Sequence, residues 1–147
     1  MENKDKSRLG ALSLKRQAET MALYDQMSLK LVNGKAIWSG RWRPTDLSDT
    51  YEIQVSYRFL GRPVISILSP KLELAKGKKR LPHVYKGGQY DICVHIKTDW
   101  HYSMRISHTI MPWISQWLYF YEVWLQTGEW IGKGTHPEWH QHACEAA

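Results

Sequence analysis

The strict alternation in residues 51–59 constrains this chain most. Tyr51, Ile53, Val55, Tyr57 and Phe59 are apolar, while Glu52, Gln54, Ser56 and Arg58 between them are polar. A period of two puts one set on each face of a strand, so the segment needs sheet neighbours and a layer over its apolar face. Both neighbours are adjacent in sequence. Residues 36–43 place Trp38, Gly40 and Trp42 on one side, and Gly61-Arg62-Pro63 turns the chain into a short β-branched run, residues 64–68. Short connections between sequential strands predict an antiparallel meander of three strands.

Two helices supply the covering layer. In residues 9–32, Leu14, Ala18, Met21, Tyr24, Met27 and Leu31 recur every three or four positions, which predicts one amphipathic helix stopped by Asn33-Gly34. Ile106, Ile110, Ile114, Trp117, Tyr121 and Trp124 predict a second, aromatic-rich helix, with Thr109 as its cap, Pro112 in the first turn and Thr127-Gly128 at its end. Residues 69–99 read as irregular, with a basic turn at Lys76-Gly77-Lys78-Lys79-Arg80 and a flexible loop at Lys86-Gly87-Gly88. The fold class is therefore α+β in a single domain over residues 1–147, with residues 1–8 and 136–147 expected to be flexible.

Composition narrows the function classes. No leader pattern opens the chain, and the longest apolar stretch, residues 109–125, holds Pro112, Gln116 and Glu122. A membrane span needs about 20 mostly apolar residues. Two cysteines, Cys93 and Cys144, cannot build a disulfide framework, so a cytoplasmic, reducing location is expected. Residues 1–99 hold 18 Lys/Arg against 10 Asp/Glu, net +8, and residues 100–147 hold 2 against 4, net −2. That basic first part suits either a solvated surface or contact with an acidic partner or nucleic acid.

Three constellations could carry chemistry. Cys93 follows the glycine loop in Asp91-Ile92-Cys93-Val94-His95, where His83, His95, Lys86 and Lys97 would favour its thiolate. The alternative for Cys93 is a buried structural thiol. His95, two positions on, is a candidate base or an ordinary surface histidine. The tail carries zinc-ligand types, His136, His140, His142 and Cys144, but four ligands within nine residues match no common site, so no metal is expected. The aromatic helix could offer stacking surfaces for bases, although helical spacing favours a core role.

The segment His83-Val84-Tyr85-Lys86-Gly87-Gly88-Gln89-Tyr90-Asp91-Ile92-Cys93 resembles the active site of ubiquitin-conjugating enzymes. That family carries His-Pro-Asn, a glycine-containing loop and an Ile-Cys-Leu around its catalytic cysteine, with the histidine ten residues before it, as His83 stands before Cys93. Trp100 matches the family's following tryptophan, one residue closer. Arg105-Ile106-Ser107-His108-Thr109-Ile110 is similar to the Thr-Ile-Ser opening of the family's central helix. The helix, the meander and Leu68-Ser69-Pro70 fall in the family's order, so the resemblance covers roughly residues 10–125. Leu81-Pro82-His83-Val84-Tyr85, Thr109-Ile110-Met111-Pro112-Trp113, Trp117-Leu118-Tyr119, Tyr121-Glu122-Val123-Trp124-Leu125 and Thr127-Gly128-Glu129-Trp130 resemble a bacterial branch, the conjugating-enzyme-like proteins of CBASS-type anti-phage operons.

The resemblance implies a UBC fold with Cys93 on the surface-facing edge of the irregular segment, acting as nucleophile. It implies a thioester with the C-terminus of a partner, a cGAS/DncV-like cyclic-oligonucleotide synthase, and transfer to an amine, without a cofactor. His83 becomes an active-site loop residue. Val84 and Tyr85 replace the family's Pro and Asn, so Tyr85 is the candidate oxyanion or loop donor, or it merely packs. The family's two C-terminal helices have no evident counterpart after Gly128. At 147 residues there is no room for an adenylating domain, so an activating enzyme supplied in trans is expected. Two rival readings are an inactive docking module for the synthase and a basic nucleic-acid-binding domain.

Overall fold

The structure is a computed structural model, and it describes residues 3–95 and 99–134. Helix α1 (Asn3–Met21) leads into four strands, β1 (Met27–Val32), β2 (Lys35–Trp42), β3 (Tyr51–Arg58) and β4 (Val64–Ser69), and helix α2 (Ile110–Thr127) follows the long irregular segment. The strands lie in the order β1-β2-β3-β4, each antiparallel to the next. The α+β class and the meander are as expected, with one strand more.

The extra strand corrects the first helix. Residues 27–32 are not helical; they pair with β2 from Met27↔Gly40 to Val32↔Lys35. Asn33 and Gly34 both take positive φ, 50° and 74°, which makes them the two-residue turn of a hairpin and not a helix stop. The helix ends at Met21, and residues 3–8, expected to be flexible, form its first turns. Strand β1 is almost wholly exposed, so its sequence carries no buried face to betray it.

The central strand behaves as its alternation requires. Tyr51, Ile53, Val55 and Tyr57 are buried, facing one core with Trp38, Ile65 and Ile67 from the flanking strands. Helix α2 covers that core with Ile110, Ile114, Trp117, Leu118 and Tyr121. Polar anchors hold it there: the Trp42 indole N–H donates to Ser115 Oγ at 2.8 Å, and the Tyr51 hydroxyl donates to Glu122 at 2.8 Å. Thr109 caps α2 by position, but its hydroxyl donates to the Arg105 carbonyl and accepts from the Trp100 indole. Gly128 ends the helix in the left-handed conformation, φ 77°, as expected.

Helix α1 contributes Met21 to the core and is fastened by the buried Gln17. Its amide donates to the Met104 carbonyl at 2.8 Å and accepts the Ile106 N–H at 3.0 Å. One side chain thereby satisfies two backbone groups where the chain enters α2. No described helix is long and apolar enough to cross a membrane.

Candidate active site

The irregular segment contains a small hairpin. The Cys93 N–H donates to the His83 carbonyl at 2.9 Å, and the Tyr85 N–H donates to the Asp91 carbonyl at 2.9 Å, which sets Val84 opposite Ile92. The turn between is closed by a 3₁₀ turn, Gly88–Tyr90, in which Gly88 takes φ 61°. His83, ten residues from Cys93 in sequence, is thus its cross-strand neighbour.

Strand β4 is the scaffold for this hairpin. The Ile92 N–H donates to the Ile65 carbonyl at 3.0 Å, and the Ser66 hydroxyl donates to the Tyr90 carbonyl at 2.8 Å. The buried amide of Gln89 donates to the Ile67 carbonyl and accepts the Leu72 N–H, both at 2.8 Å. These bonds also occupy a sheet edge that would otherwise expose unpaired backbone.

His83 is held on three sides. Its carbonyl accepts a second donor, the Trp117 indole N–H from α2, at 3.0 Å. Its ring lies 4.9 Å from that of Trp130. Its φ is +50°, an uncommon conformation that histidine tolerates better than most residues and that surrounding contacts must hold.

Tyr85 faces a cation. The Arg62 guanidinium sits 4.0 Å from the centre of its ring, and the same guanidinium binds the Asp91 carboxylate through two bonds of 2.9 and 2.8 Å. The stack Tyr85–Arg62–Asp91 clamps the two ends of the loop to the turn before β4. Burial pushes the Tyr85 phenol up, with Arg62 opposing in part, and the bonds to Asp91 push the Arg62 guanidinium up. The ring of Tyr85 is thus packed against the guanidinium.

Cys93 departs from one expectation. It is 2% exposed, not at a surface-facing edge; its neighbour Ile92 is bonded to β4 and its own N–H to the His83 carbonyl. Sγ lies 3.3 Å from the His95 carbonyl oxygen, a position from which a reduced thiol donates to that oxygen. His95 is buried too, not a surface histidine, and its ring lies 5.5 Å from that of Trp113. The structure therefore gathers His83, Tyr85, Cys93 and His95 around one hairpin.

Arg62, Gln89, Trp117 and Trp130 support the site without having been singled out as site residues. Gln89 and Trp130 stand inside the motifs that carry the resemblance and Trp117 stands on the aromatic helix, whereas Arg62 stood only in a turn. Among the described residues no group of three or more His, Cys, Asp or Glu could hold a metal ion. The tail residues His136, His140, His142 and Cys144 lie outside the described residues.

This geometry sits inside a family match. Residues 16–137 match the family model of the Type II CBASS E2 protein. The chain belongs to that family. Its name carries the UBC fold, and the α+β architecture agrees with it. The protein is thus an E2-like component of CBASS anti-phage systems. Cys93 falls within the matched residues of this CBASS E2, and Cys144 falls beyond them. No curated protein matches the chain.

Proposed function

We propose that this CBASS E2 is a cysteine acyltransferase whose nucleophile is Cys93. One observation carries the reading: Cys93 is the single cysteine within the family match, and it is paired across the hairpin with the histidine that the conjugating-enzyme pattern requires.

The reaction needs the reduced thiol. Its thiolate attacks the activated C-terminal carbonyl of a partner protein; a C–S bond forms and the bond to the leaving group, an adenylate or another thiol, breaks. An amine then attacks the thioester, so that a C–N bond forms, the C–S bond breaks and the amine proton returns to sulfur. The partner is a cGAS/DncV-like cyclic-oligonucleotide synthase, with activation supplied by a separate enzyme. His83 and Tyr85 fix the loop, and His95 is the candidate for taking the thiol proton. An ordinary thiol is a few per cent ionised at neutral pH, so modest activation is enough.

The second reading, a docking module without chemistry, draws on the burial of Cys93. Co-expression with the synthase separates the two. Wild-type protein yields a conjugate of the synthase, and Cys93→Ala binds the synthase without yielding one. Equal conjugate from Cys93→Ala overturns the proposal, and binding without conjugate from either protein establishes the docking module.

A further inference from the structure

The outer edge of the sheet is open. Strand β1 stands first in the order, and among the described residues no strand pairs with its far side. Its hairpin turn has two residues, Asn33 and Gly34, so Val32 and Lys35 close it as a hydrogen-bonded pair. Bonds to β2 then fall at Val32, Lys30 and Ser28, and the backbone of Leu31, Leu29 and Met27 points away from the sheet. The Met27 N–H is taken by the Tyr24 carbonyl at 3.0 Å. Leu29 and Leu31 thus direct both N–H groups and both carbonyls outward.

Side chains along this edge alternate in kind. Leu29 and Leu31 pair with the buried Trp38 and Ala36, which puts them on the core-facing side of the sheet, yet they are 41% and 65% exposed. The apolar face of the core therefore runs on past its helical cover. Lys30 lies on the other face, where Lys35 and Arg58 stand opposite each other on β2 and β3. Among the described residues none of these three cations is in a salt bridge. The one carboxylate in the four strands, Glu52, is paired with Arg41.

An open edge of this kind takes an extended chain. We infer that β1 receives a guest strand from a partner protein, in which an acidic residue stands between two apolar ones. The register dictates that order. Laid antiparallel to β1, the guest's apolar residues exchange backbone bonds with Leu29 and Leu31 and extend the core face. The residue between them then lies opposite Lys30. A second copy of this chain fits worse. Pairing centred on Lys30 sets lysine against lysine, and pairing centred on Leu29 calls on the Met27 N–H that Tyr24 already holds. The guest also leaves the Cys93 hairpin clear, because β4, which carries it, is the opposite end of the sheet. The inference is independent of the acyl transfer.

Fluorescence anisotropy of the full-length protein tests it with three short fluorescein-labelled peptides: alternating Val and Glu, alternating Val and Lys, and the Val/Glu composition split into two blocks. The alternating Val/Glu peptide should bind most tightly. Lys30→Glu should weaken it about 5-fold or more and turn the preference toward the Val/Lys peptide. Leu31→Pro removes an outward N–H and spares the bonds to β2, at an edge where proline is tolerated, so it should abolish binding. Lys6→Glu, on α1, should leave binding unchanged. Equal binding of the block peptide overturns the inference, as does failure of every peptide to bind. An unchanged preference in Lys30→Glu overturns it too, and that variant decides even if Leu31→Pro fails to fold. Sedimentation of the protein alone gives the last outcome: a dimer that Leu31→Pro dissociates would assign the edge to a second copy and contradict the inference.

Discussion

The Cys93 N–H and the Trp117 indole N–H donate to the same oxygen, the carbonyl of His83, at 2.9 and 3.0 Å. One bond closes the hairpin and the other ties it to α2. The site is therefore positioned by the core, not by the loop alone, and a change in α2 should be felt at Cys93.

Trp117→Phe tests that dependence. It removes the second donor from a buried carbonyl and leaves a small void, a loss of roughly 1–3 kcal/mol. The melting temperature should fall and acyl loading should slow. A variant that melts lower but loads at the parental rate would show that the indole bond serves stability only.

Tyr85→Phe should leave transfer within a few-fold of the parental rate, because the ring, not the hydroxyl, meets Arg62. Loss of a working oxyanion donor would instead cost roughly 10²–10³-fold. Arg62→Ala should be the worse variant. It removes both the ring contact and the two bonds to Asp91, about 1 kcal/mol at this half-exposed site, and it loosens the loop. Single-turnover loading beside a melting curve reads both variants.

Alkaline pH should destabilise the fold through its buried phenols. Burial first, then the bond to Glu122 and its charge, hold the Tyr51 phenol well above the ordinary value of 10.0. A raised folded value means that this stabilisation is complete below about pH 10 and is lost as pH rises beyond it. Tyr24, Tyr57 and Tyr121 are shifted in the same direction by burial. Tyr51→Phe should lower stability at neutral pH by roughly 1.5–3 kcal/mol and flatten the decline above pH 10. Chemical denaturation across that range measures both.

Gly40→Ala should be poorly tolerated. A Cβ there would fall on the carbonyl oxygen of Gln26, so β2 could keep its register only by moving backbone. The expected cost is roughly 1–3 kcal/mol, read as a shift in the denaturation midpoint.

These sites differ in how far the sequence alone reveals them. Residues 51–57 declare their strand because its apolar face is wholly buried, and α2 declares itself through seven buried positions at helical spacing. Residues 27–32 do not, since a strand exposed along its length has no buried face to mark it. Asn33-Gly34 then suits a helix end as well as a hairpin turn, and only the pairing with β2 decides. The same limit applies around the active site. His83 and Cys93 lie within one motif, whereas Arg62 reaches Asp91 from 29 residues away and Gln89 reaches Ile67 from 22. Contacts of that span leave no local pattern.

The most direct test of the account is where the acyl group sits. Reduced protein is incubated with the activated synthase, the reaction is quenched without thiol, and the trypsin-digested adduct is mapped by mass spectrometry. The account predicts a thiol-labile acyl group on the peptide Gly87-Gly88-Gln89-Tyr90-Asp91-Ile92-Cys93-Val94-His95-Ile96-Lys97, absent in Cys93→Ala and replaced by a thiol-resistant ester in Cys93→Ser. A labile adduct on the peptide carrying Cys144, or one that persists in Cys93→Ala, would contradict it.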